Sequence, residues 1–97
     1  MAEDRLVRRL KALAHPIRLG MMQQLAAQPE ICACDLGEAF AVSQPTVSEH
    51  LRVLREAGLV RTRRQGTQIC YAAVPEAVAE LTGELVGLRP RPQVKAA

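Results

Sequence analysis

Apolar positions fall at helical spacing over most of this chain and at alternate positions over one stretch of its second half. Leu6, Leu10, Leu13 and Ala14 lie at i, i+4, i+7 and i+8, with Arg5, Arg8, Arg9 and Lys11 between them. That spacing predicts an amphipathic helix. His15-Pro16 ends it, because the residue before a proline is pushed out of the helical region. Pro16 then opens a second helix at its first position, with Ile17, Met21 and Leu25 on one face, and Gln28-Pro29 stops that helix. Asp35 and Glu38 form a D-x-x-E capping pattern, so a short helix is predicted to start after Asp35 with Leu36, Ala39 and Phe40 facing inward. A turn through Val42 leads to Ser43, a helix N-cap, with Pro45 in the first turn. Val47, Leu51 and Leu54 mark the buried side of that helix, and Gly58 is its C-cap.

From Leu59 to Tyr71 the period shortens to two. Val60 and Thr62, then Arg64-Gln-Gly-Thr67, then Ile69 and Tyr71 predict a β-hairpin about a glycine turn. Val78, Leu81, Leu85 and Leu88 follow at 3-4-3 spacing, the seam pattern of a last helix, which Gly83 and Gly87 weaken in isolation. Arg89-Pro-Arg-Pro ends it. Residues 1–88 therefore read as one domain and 89–97 as a disordered tail. Helix, helix, short helix, turn, helix, hairpin, helix is a mainly α chain with one β-hairpin, in the order of a winged helix-turn-helix domain.

Composition narrows the function. The 97 residues suit one small domain that gains from dimerisation. Aromatic residues are 2%, which argues against RNA modules built on base stacking. Neither a membrane-length apolar run nor the apolar core of a leader is present, so a cytoplasmic protein is expected. No Ser-His-Asp, paired-carboxylate or glycine-rich phosphate motif appears, so neither an enzyme nor a resident cofactor is expected.

The net charge of +3 matters less than its distribution. Pro29 to Leu51 holds four acids and no Lys or Arg, whereas Arg52 to Gln68 holds five Arg and one Glu. A basic patch on a near-neutral body suits double-stranded DNA. The predicted solvent face of the helix after the turn carries Gln44, Thr46, Ser48, Glu49 and Arg52. Gln pairs with adenine, Ser and Thr serve several bases, and Arg serves guanine or phosphate. Glu49 either accepts from a cytosine amino group or points away. Arg61, Arg63, Arg64, Gln65 and Thr67 on the hairpin complete the expected DNA-contacting set.

Several motifs in this order resemble the ArsR/SmtB family of metal-responsive repressors. They are Leu13-Ala-His-Pro-Ile-Arg-Leu19, Cys32-Ala-Cys-Asp-Leu36, Ser43-Gln-Pro-Thr-Val-Ser-Glu-His-Leu51, Leu54-Arg-Glu-Ala-Gly-Leu-Val60 and the hairpin from Arg64 to Tyr71. The similarity runs from about Leu6 to Leu81. It implies a homodimer, built on the first and last helices, that represses an operator until a toxic metal binds.

Cys32-x-Cys34 is similar to the metal box of arsenic-responsive members, whose thiolates capture As(III) or Sb(III). On a regular helix residues i and i+2 point about 200° apart, whereas on an extended segment they share a side. If the helix cap is Asp35, both cysteines precede the helix and can converge on one soft ion. A third cysteine often stands three residues after the second in this family; here that position is Gly37. The third ligand is thus open between Cys70, a cysteine of a partner chain, an external thiol and solvent. Alternation with Ile69, Tyr71 and Ala73 turns Cys70 away from the packed face, so it reads first as a bystander. His15, at a helix end, and His50, beside Leu51, do not look like ligands, and the last helix lacks the Asp-x-His pattern used for zinc. Two other functions remain open at this point: a thiol-redox repressor of the same fold, and a thiol metal-binding module without DNA.

Overall fold

A computed structural model describes residues 4–92. Five helices and three strands run in the order α1 (Arg5–Leu13), α2 (Pro16–Ala27), β1 (Ile31–Cys32), α3 (Ala33–Phe40), α4 (Gln44–Glu56), β2 (Val60–Gln65), β3 (Gln68–Ala73) and α5 (Pro75–Val86). This is the winged helix-turn-helix order, with one strand the pattern does not reveal. Among the described residues no helix is long and apolar enough to cross a membrane.

The joints follow from local chemistry. Asp4 caps α1 by accepting from the Leu6 amide at 2.7 Å. His15 caps α2 through Nδ1, which accepts from the Ile17 amide at 3.1 Å, and Pro16 supplies the first turn. Ser43 is extended at the start of α4 as expected, but its hydroxyl pairs with the Thr46 hydroxyl at 3.0 Å rather than with a backbone amide. After α4, Gly58 takes a φ of +79°, so that the Gly58 amide reaches Arg55 O and the Leu59 amide reaches Leu54 O. These two bonds form the left-handed closing turn that glycine permits. Ala41 closes α3 the same way at φ +53° without being glycine.

The sheet order is β1-β3-β2, antiparallel throughout. The β2–β3 hairpin turns through Gly66 and Thr67, with Gly66 at φ +62°. β1 adds Ile31 opposite Tyr71 and Cys32 opposite Cys70. The core gathers Met21 and Leu25 of α2, Leu36 of α3, Val47, Leu51 and Leu54 of α4, then Leu59, Val60, Tyr71 and Leu81.

Two expectations are corrected. The α3 helix starts at Ala33, not after Asp35, because the β1 ladder runs to Cys32 and the chain turns straight into the helix. Asp35 then sits in the first turn, where its charge suits the helix dipole, and is not the cap. The last helix ends at Val86, so Leu88 lies past it and is 72% exposed. Pro90 holds Arg89 out of helical geometry and Gly87 adds little support. Of the tail expected over 89–97, residues 93–97 lie outside the described residues.

Candidate nucleic-acid interface and thiol cleft

The helix and the hairpin expected to contact DNA both form, and most of the residues named on them are exposed. With Val47, Leu51 and Leu54 buried, α4 presents Gln44, Ser48, Glu49 and Arg52 to solvent and Thr46 half-buried. Beside it the wing exposes Arg61, Arg63, Arg64, Gln65 and Thr67.

Several of these charges are already engaged. Arg52 donates through Nε and Nη2 to the Glu49 carboxylate, at 3.1 and 2.5 Å, and through Nη1 to Glu56 at 2.9 Å. The pairing lowers the Glu49 pKa and raises that of Arg52. Glu49 is thus paired with Arg52 along the helix. Arg63 forms a two-pronged pair with Glu30, at 2.6 and 2.9 Å, and this fastens the wing to the segment before β1. The same bond draws the Glu30 carboxyl below its usual range. Its Nη2 also donates to Gln65 Oε1 at 2.9 Å.

The cysteines are arranged differently from the sequence expectation. Cys32 and Cys70 stand directly opposite each other on β1 and β3, with their sulfurs 2.7 Å apart. Cys70 is only 2% exposed, with Cys32 of the neighbouring strand β1 against it. The expectation that alternation turns Cys70 away from the packed interior is thus corrected: it is buried beside Cys32. Cys34, expected to converge with Cys32 from an extended segment, is the second residue of α3 and is exposed. Its sulfur lies 3.9 Å from Asp35 Oδ1. The Cys32 thiol is pushed up to about 11, first by its hydrogen bond to Cys70 and then by burial and the charges of Cys70, Cys34 and Asp35.

Cys32 and Cys34 nevertheless border one cleft of about 310 Å³. Its walls include Gln44 and Ser48 of the DNA-reading helix and Thr67 and Gln68 of the wing tip. Gly37, the position where the family often carries a third cysteine, faces α4 at close range. A Cβ there would collide with Gln44 Nε2 and lie 3.2 Å from Val47 Cγ2. Among the described residues no three His, Cys, Asp or Glu side chains are grouped to hold a metal ion. The missed signal was β1: Glu30-Ile-Cys32 is too short for alternation to register.

A family model described as bacterial regulatory protein, arsR family, matches residues 15–62. The biofilm growth-associated repressor of Agrobacterium fabrum is 43% identical over 79 residues, covering 81% of this chain and 67% of that protein. The chain belongs to the arsR family. The arsenical resistance operon repressor of Escherichia coli K12 is 45% identical over 65 residues, covering 67% of this chain and 56% of that one. A solution structure from Mycobacterium bovis, of the homodimeric winged helix-turn-helix DNA-binding domain of a possible ArsR-family regulator, matches with a TM-score of 0.74. It is 33% identical and covers 88% of this chain and 78% of that one. The chain spans about half the length of several curated relatives that it matches. The arsR family is one of DNA-binding transcriptional regulators, not of enzymes.

Proposed function

We propose that this chain acts as a homodimeric transcriptional repressor that binds operator DNA through α4 and the wing and releases it when trivalent arsenic or antimony binds its thiols. The observation that carries the reading is the shared cleft: Cys32 and Cys34 line the same cavity as Gln44 and Ser48. An ion held at Cys32, on the edge of that cleft, acts on the helix that meets the base pairs. The resistance repressor of Escherichia coli, similar over two thirds of this chain, supports the arsenical reading.

Apolar side chains support dimerisation. Val7 and Leu10 on α1, and Leu85 and Val86 on α5, are exposed on the two helices of the expected interface. In a symmetric dimer two α4 helices would reach successive major grooves about 34 Å apart, a spacing that a small displacement of α3 and α4 disrupts. A tenfold loss of affinity needs only about 1.4 kcal/mol of coupling.

The experiment is operator binding by fluorescence anisotropy, on a duplex that the protein itself selects from random DNA. As(III), Sb(III), Cd(II), Zn(II) and peroxide are added in turn. Release by As(III) and Sb(III) at micromolar concentrations supports the reading; unchanged affinity with both contradicts it. The 2.7 Å approach of Cys32 and Cys70 favours a second reading, in which peroxide oxidises the pair to a disulfide and the switch is redox. Release by peroxide alone, reversed by a dithiol reductant, selects it.

A further inference from the structure

The geometry points to Cys32 and Cys70, rather than Cys32 and Cys34, as the chelating pair, and to trivalent arsenicals with two exchangeable positions as the ligand class. This rests on the arsenical reading above and deepens it. Directly opposed residues of antiparallel strands have Cα atoms about 4.5–5.5 Å apart, close enough for one atom to bridge two sulfurs. These two sulfurs already touch, at 2.7 Å. Cys34 lies two residues beyond Cys32, in the first turn of α3, and is exposed. A side chain at position 37 would have to displace the Gln44 amide and crowd Val47.

With no third donor grouped at the pair, the ligand needs only two bonds to protein. Its remaining substituent is a hydroxyl or an organic group; Cys32, though not Cys70, borders the cleft shared with Cys34, Gln44 and Ser48. Arg63, opposite Cys70 on β2, completes a row Cys32–Cys70–Arg63 across the sheet, with its guanidinium held by Glu30.

The reaction balances without an oxidant. An arsenical R–As=O and two thiols give R–As(S–)2 and one water: two S–H bonds break, two As–S bonds form, and the oxygen leaves with both protons. Arsenous acid, As(OH)3, gives HO–As(S–)2 and two waters. Arsenic stays trivalent throughout. Two bonds of about 2.3 Å, the length of a zinc thiolate, meeting near a right angle hold the sulfurs about 3.3 Å apart. Capture therefore locks Cys32, the N-cap of α3, to the wing strand that carries Cys70.

The test uses the full reduced chain with one equivalent of phenylarsine oxide, which has two exchangeable positions, and in parallel with arsenite. Unreacted thiols are alkylated and mapped by mass spectrometry. The expected result is one free thiol, at Cys34, with either reagent. A free thiol at Cys70, protection of all three by arsenite, or no adduct overturns the pair. Cys34→Ser should keep the one-to-one adduct, whereas Cys70→Ser and Cys70→Ala should weaken phenylarsine oxide binding at least tenfold; tight binding by a folded Cys70 variant also overturns it. The mapping in the unmutated chain decides the matter even where a Cys70 variant fails to fold. A mapped Cys32–Cys70 adduct with no DNA release contradicts the proposed function and leaves this pair standing. DNA release with Cys70 still free does the reverse.

Discussion

Arg9 of α1 and Glu80 of α5 are joined by a 2.7 Å ion pair, and the Arg9 side chain is only 9% exposed. Its Nε also donates to the carbonyl of Ala57, at the end of α4, at 3.3 Å. One guanidinium thus ties both helices of the expected dimer interface to the foot of the DNA-reading helix. Arg9→Met should cost about 2 kcal/mol, the range for a hydrogen bond to a charged group. That corresponds to roughly 10 °C in Tm for a domain of this size. Arg5 meets the same Glu80 at 3.1 Å but is well exposed, so Arg5→Ala should cost less than about 0.5 kcal/mol. Thermal unfolding at one fixed protein concentration checks both, and equal losses would contradict the assignment.

The rings of His15 and His50 lie 4.5 Å apart, at the α1–α2 joint and on α4. Burial lowers the His50 pKa, and the charges of His15 and Arg18 lower it further against an opposing effect of Glu49. Arg18 Nη1 lies 3.4 Å from His50 Nδ1. The unfolded chain therefore binds a proton that the folded chain resists. Stability from this contact is complete above the ordinary histidine value near 6.5 and falls as pH drops toward the lowered folded value. Urea midpoints at pH 7.5 and 5.5 should show the drop, and His50→Gln should shrink it. An equal drop in that variant would place the titration elsewhere.

Gly37 of α3 packs against Gln44 and Val47 of α4. Gly37→Ala should cost about 1–3 kcal/mol as an overpacked contact, despite the better helix propensity of alanine. It should also weaken DNA binding, because the side chain displaced is that of Gln44. A variant that gains stability by chemical denaturation would show that the helices separate easily.

Engaged and available cations should separate in salt titrations. Arg64, exposed beside the wing turn, should reduce the slope of log affinity against log salt by about 1 when replaced by Ala. Arg52 is held by Glu49 and Glu56, so Arg52→Ala should change the slope much less. Equal slopes for the two variants would mean that DNA pulls Arg52 from its partners.

Much of this was legible in the residues. His15-Pro16 fixed the α1–α2 joint, Ser43 and Gly58 bracketed α4, and Gly66 placed the wing turn, because each acts through its own backbone. The thiol pairing was not legible. It depends on β1, two residues long, whose pairing with β3 is a contact across 38 positions of sequence that no local period records. The same strand moved the start of α3 and carried Cys34 into the helix. The last helix was legible as far as Leu85, whereas Leu88 lies past its end at Val86, where Gly87 follows.

The account rests on Cys32 as the sulfur that links ligand to DNA release. The direct measurement is operator anisotropy for the unmutated chain and Cys32→Ser, each with and without arsenite. Both proteins should bind the duplex with similar affinity in its absence. Arsenite should then release the unmutated chain at least tenfold and leave Cys32→Ser bound. Release of Cys32→Ser at the same arsenite concentration would contradict the account.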